Sequence, residues 1–152
     1  MDAEYSNQPK NAHELCESGE FVPTARQLAV MNLTRINMPP WTTLTQNGLY
    51  RCDQRDARIS DMEFNFDEIE LCIQWIRHFV TPRAHKNANY SSYYLKHRVE
   101  AFATEFGLEP TYISNGSFIA AMLVCGYTMW PCDPYSLNAY FNATYVLVKG
   151  KK

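Results

Sequence analysis

The sequence has no long apolar run. Its longest, Phe118 to Cys125, falls well short of the ~20 residues that a membrane-spanning helix takes, so no membrane span is expected. The opening Met1-Asp2-Ala3-Glu4-Tyr5 has neither a basic stretch nor an apolar core, which predicts no secretory signal. Cysteine is sparse and odd in number: Cys16, Cys52, Cys72, Cys125 and Cys132. The wide spacing argues against a disulfide framework and predicts reduced thiols in a cytoplasmic or nuclear compartment. The N-x-[ST] sequons at Asn32, Asn89, Asn115 and Asn142 then read as chance. There is no C-x-x-C or H-x-x-x-H; the pairs His13/Cys16 and Cys125/Cys132 do not complete a zinc set, and no metal is expected. The phosphate-cradling G-x-x-x-x-G-K-[ST] is also missing, which excludes its nucleotide chemistry and leaves no cofactor to predict.

What is present suits a folded domain. At 152 residues and 46% hydrophobic the chain can bury a core without a staple. Residues 1–20 are polar and predict a mobile arm; 21–152 read as one globular domain. Charge is split: residues 1–70 hold six Lys/Arg against twelve Asp/Glu, and residues 71–152 hold eight against four. Such a split can mark an interaction surface.

A short helix is expected over Pro23–Leu33, with Leu28, Met31 and Ala25 able to line one face, and ended by Met38-Pro39-Pro40, since proline cannot continue a helix. Asn47-Gly48 is a turn signal between Thr42–Thr45 and Leu49–Cys52, which could pair as a hairpin. Ile69, Cys72, Ile73, Ile76, Phe79 and Val80 recur at helical spacing, with acids at the start and Arg77 and His78 near the end, as the helix dipole prefers. Residues 83–92 read as a polar loop. Ser91 or Ser92 caps a helix through Leu95, Val99, Phe102 and Phe106, and Gly107 ends it. Ser114 or Asn115 caps a third helix, Phe118 to Val124, apolar almost all round and hence central. Residues 139–148 alternate as a strand. The expected fold is mainly α (α+β): a compact three-to-four-helix core built from Ile69, Ile73, Ile76, Leu95, Val99, Phe102, Phe106, Phe118, Ile119, Met122 and Leu123, flanked by a small β element of residues 42–52 and 139–148.

Between Leu71 and Val99 there is no acidic residue. Arg77, Arg83, Lys86, Lys96 and Arg98 stand among His78, His85 and His97, interleaved with Tyr90, Tyr93 and Tyr94. Cations neutralise phosphates and aromatic faces stack on bases, so this mixture suits nucleic acid; a solvated loop joining two core helices is the simpler alternative. The candidates are Arg83, Lys86, Lys96 and Arg98 for phosphates, with protonatable His97 beside them, and Tyr90 and Tyr93 for stacking. Lys96 and Arg98 are the better pair if the helix packs through Leu95, Val99 and Phe102.

Residues 99–123 resemble a helix-turn-helix unit, with Ala103, Gly107 and Ile113 at the family's small, turn and packing positions. That resemblance implies that Pro110, Thr111, Tyr112, Ser114 and Asn115 face a major groove. Gly116 in the middle of the second helix, and the apolar segment after it, depart from the pattern. The run Ser91-Ser92-Tyr-x-Leu95-Lys96-His97, then Tyr112-Ile-Ser-Asn-Gly116-x-Phe-Ile-Ala-Ala, Gly126-Tyr127 and Asn138-Ala-Tyr-Phe-Asn142 resembles small accessory proteins encoded by viruses and phages, and would place the chain in a host cell. It implies no catalytic residue. The expected function is therefore non-enzymatic binding of DNA or RNA. The alternatives are a module for a host or viral protein partner, with oligomers possible, and a cysteine-dependent hydrolase pairing a thiol with a histidine.

Overall fold

The computed structural model describes residues 24–39, 42–51, 65–134 and 136–147. The polar arm, Cys16, Cys52 and the His13/Cys16 pair lie outside the described residues. In chain order the elements are α1 (Ala25–Asn37), β1 (Thr42–Thr45), β2 (Gly48–Arg51), α2 (Phe66–Phe79), β3 (Val80–Asn87), α3 (Ser92–Phe106), α4 (Asn115–Val124), β4 (Met129–Pro131) and β5 (Ala139–Tyr145). None of the described helices is long and apolar enough to cross a membrane.

The expectation of a mainly α chain with a small β flank is corrected. Among the described residues four helices accompany five strands in two antiparallel sheets, an α+β fold. The segments 42–52 and 139–148 do not form one β element. β1 and β2 close on each other as a hairpin, Thr45 opposite Gly48. β5 instead lies at the centre of a sheet ordered β3-β5-β4. The expected polar loop 83–92 is strand as far as Asn87. β3 escapes a sequence reading because it does not alternate: its residues from Thr81 to Lys86 are all exposed. It is an edge strand, where Pro82 removes no needed donor and where charge, proline and a bulge discourage pairing with another chain.

α4 is the hub. Asn115 through Leu123 are all buried, and α1, α2 and α3 pack on it. α2 faces it with Ile69, Cys72, Ile73, Trp75 and Ile76. β5 turns Ala139, Phe141 and Ala143 inward, and the Phe141 ring meets Phe118 edge-on at 6.2 Å. Full burial of an isoleucine or phenylalanine side chain among these contributes roughly 1.5–3 kcal/mol. α1 packs through Val30, Met31 and Thr34; Met31 is buried as expected, while Leu28 is exposed.

α3 is also rotated from its expected setting. Its buried residues are Ser92, Leu95, Lys96, Val99 and Ala103. Phe102 is half-buried and Phe106 is 62% exposed, so Phe106 leaves the core. The stripe runs through positions four apart, and the small Ala103 rather than Phe106 marks its close end. This rotation carries Lys96 towards the interior.

Candidate functional site

The cationic segment divides between two places. The first is β3. Its register with β5 runs Val80–Tyr145, Thr81–Thr144 and Pro82–Ala143, then jumps to Asn87–Phe141. Arg83, Ala84, His85 and Lys86 therefore stand out of the ladder as a bulge. The Arg83 guanidinium folds back on it, Nε donating to the His85 carbonyl at 3.0 Å and Nη2 to that of Lys86 at 3.4 Å. Asn87 closes the bulge: its buried side chain donates to the Ala143 carbonyl at 3.0 Å and accepts from the Asn89 N–H. Lys86 Nζ lies 6.0 Å from the Tyr140 ring centre. Arg83, His85 and Lys86 are all exposed.

The second place is the first half of α3. Ser91 caps the helix by accepting from the Tyr94 N–H. Ser92, buried, accepts from the Ala139 N–H at 3.0 Å, which pins the helix start to β5. Lys96 is 5% exposed. Its ammonium sits 3.2 Å from Glu100 Oε2 and lies over the rings of Tyr93 and Tyr112, 5.3 and 4.7 Å from their centres. His97 Nδ1 donates to Glu100 Oε1 at 2.6 Å, and the Ile113 N–H donates to Oε2 at 2.9 Å. Burial alone would push the Glu100 carboxyl up, but the Ile113, His97 and Lys96 donors outweigh it and hold it below the usual carboxylate range. Lys96 is thus already paired, and it is not the free phosphate contact expected of it. Arg98 is half-exposed. Tyr90 is half-buried, stacked on Tyr94 at 5.3 Å and edge-on to Tyr145 at 5.9 Å, so its ring is spent on packing.

Between these residues opens a cavity of about 450 Å³, lined by Gln46, Asn47, Tyr93, Lys96, Tyr112, Asn115, Leu137 and Asn138. Asn115 is built into its wall. Its Nδ2 lies 3.0 Å from the Asn47 carbonyl, 3.1 Å from that of Leu137 and 3.0 Å from Asn138 Oδ1. Its Oδ1 is buried without a hydrogen-bond partner. Flipping the amide would set its oxygen against three acceptors, so the orientation is settled by the surroundings. Gly116 follows because the start of α4 presses on the β1–β2 turn: its N–H donates to the Gln46 carbonyl at 2.9 Å, and a Cβ there would collide with the Thr45 carbonyl oxygen. A Cβ on Gly48 would likewise strike the Leu137 carbonyl oxygen.

The helix-turn-helix expectation over 99–123 is corrected by burial. Ser114 and Asn115 are buried, and α4 has core on every side, so it has no face to lay in a groove. Ser114 caps α4, and its own N–H donates to the buried Glu68 carboxylate at 2.7 Å. Of that set Thr111 and Tyr112 are exposed. Glu100 went unnoticed in the sequence, although helical spacing sets it one turn beyond Lys96 and His97. Asn47 is marked in the sequence only as a turn residue, and neither it nor Asn138 is marked there as part of the site, which they join through tertiary contacts.

The described thiols are not activated. Burial pushes Cys72 well up, and pushes Cys125 and Cys132 up as well, the opposite of what a nucleophile needs. Among the described residues no three His, Cys, Asp or Glu side chains gather to hold a metal. A second cavity of about 500 Å³ is lined by Asp67, Glu70 and Glu109 with Leu71, Leu108 and Pro110, a charge unsuited to phosphate. No family model, curated protein or solved structure matches the chain.

Proposed function

We propose that the protein binds nucleic acid without catalysing a reaction, gripping the phosphate backbone with the bulge of β3. The observation that carries this reading is the bulge itself: four residues pushed out of the ladder present Arg83, His85 and Lys86 to solvent, in a segment, Leu71–Val99, that holds no acid. Protection of an open strand edge accounts for Pro82 and for the bulge. A cluster of one sign is more than that protection needs, and it suits phosphates. The resemblance to viral and phage accessory proteins agrees with a binder, and among the described residues the raised thiols of Cys72, Cys125 and Cys132 weigh against the hydrolase alternative.

The test is fluorescence polarisation at low salt with labelled single-stranded DNA, duplex DNA and RNA. Wild type is expected to bind at least one of them, and Arg83→Ala with Lys86→Ala to bind at least fivefold more weakly. Both residues are exposed, but Arg83 also braces the bulge through the His85 and Lys86 carbonyls, so a circular dichroism melt of the double variant accompanies the assay and a wild-type melt is expected. No binding by wild type, or equal binding by the variant, defeats the reading. A protein-partner module is favoured by one other observation, the exposed Leu28, Leu33 and Ile36 on α1; it takes the lead if nucleic acid fails.

A further inference from the structure

The geometry points to the Tyr93–Lys96–Tyr112 cavity as the seat for one unstacked base, which makes the ligand a single strand. The inference rests on the nucleic-acid reading and specifies its ligand.

The cavity's volume, about 450 Å³, falls within the range of small-molecule sites. Its electrostatics select against a bare phosphate. The one ammonium inside it is matched by Glu100 at 3.2 Å, and the rest of the lining is amide and phenol with the aliphatic Leu137. A neutral planar group fits such a lining better than an anion does. Tyr93 is 51% exposed and Tyr112 is 64% exposed. Each therefore keeps ring surface for stacking while Lys96 steadies it from inside. Glu100 holds the arrangement rigid by tying Lys96 and His97 on α3 to the Ile113 N–H, next to Tyr112.

Asn115 adds a second, independent sign of a ligand. It is 6% exposed, it lines the cavity, and its Oδ1 has no partner within the protein. Every base carries at least one N–H donor on its edges, and such a donor would satisfy this oxygen once the rim side chains adjust. Asn47 at the rim offers an amide of the kind that reads base edges.

The cavity also lies within reach of the bulge. Asn138 lines the cavity, and Tyr140, two residues further on, lies under Lys86 at 6.0 Å. Two strand residues span about 7 Å. One nucleic-acid strand can therefore place a phosphate on the bulge and a base in the cavity. A duplex can do so only by flipping a base out of its stack, which costs a few kcal/mol, so a single strand is the favoured ligand.

The test uses the full chain and three labelled ligands: a mixed-sequence single strand, its duplex, and the same strand with abasic positions. The single strand is expected to bind at least tenfold tighter than the duplex and than the abasic strand. Tyr112→Ala is expected to weaken single-strand binding roughly 5- to 100-fold, the usual yield of one stacked base, and Tyr112→Phe to restore it. Neither change should alter the salt dependence. Equal binding of duplex and single strand, or of abasic and intact strands, or of wild type and Tyr112→Ala, overturns the base seat. If Arg83→Ala with Lys86→Ala still weakens binding in that case, the nucleic-acid reading survives without the seat. If wild type binds none of the ligands, both fall together.

Discussion

Glu100 decides how the site responds to pH. Its carboxylate accepts from Lys96, His97 and the Ile113 N–H, and its pKa is lowered. A depressed carboxyl stabilises the fold above its ordinary pKa, about 4.3 for glutamate, and that stability is lost as pH falls through the folded value. Glu100→Gln should therefore cost about 1–2 kcal/mol at neutral pH and should flatten the acid limb of the stability profile. Denaturant melts from neutral to acid pH check this; a variant that keeps the wild-type acid limb contradicts it. Gly116 sets two effects against each other. An alanine is favoured over glycine by about 1 kcal/mol in a helix interior, an upper bound for Gly116 in the first turn of α4, but a Cβ here would meet the backbone of Thr45 and Gln46, and overpacking costs about 1–3 kcal/mol. Backbone cannot swing aside as a side chain can, so Gly116→Ala should lower the melting temperature. A rise would show that the hairpin turn yields.

Among the elements, helices were more legible than strands. The stripe of α2 shows in its spacing, and Asn65 caps it as an acceptor for the Glu68 N–H. The departure of Gly116 from a groove-reading helix was visible too, and its cause is the hairpin pressed against the helix start. β3 was hidden because an edge strand with a bulge neither alternates nor looks apolar. The buried face of α3 differs from the expected one because Phe102 and Phe106 outweigh Ala103 in hydrophobicity, while a close helix approach favours the small residue. That shift makes a clear contrast. Leu95→Ala should cost about 2–5 kcal/mol as a core truncation, whereas Phe106→Ser, at a largely solvent-exposed position, should cost under about 1 kcal/mol. Similar losses for the two would return Phe106 to the core. Of the candidate site, its cations and tyrosines could be read in the sequence. Their division into a free bulge and a paired, half-closed cavity could not, since it depends on the β3–β5 register and on contacts from Asn47 and Asn138.

For the molecule as a whole, the sign of charge separates possible partners. Among the described residues the acid-free segment supplies the exposed bulge, while the cavity beside α2 is acidic, so of the two the bulge is the better ground for a polyanion. The central claim is that phosphate contacts at the bulge drive association. It is tested most directly by titrating salt against a labelled single strand, with wild type beside Arg83→Ala plus Lys86→Ala. The logarithm of affinity should fall linearly with the logarithm of salt, by about 0.7 per phosphate neutralised. Removing two cations should therefore reduce the slope by about 1.4. An unchanged slope, or no binding at low salt, would contradict the claim.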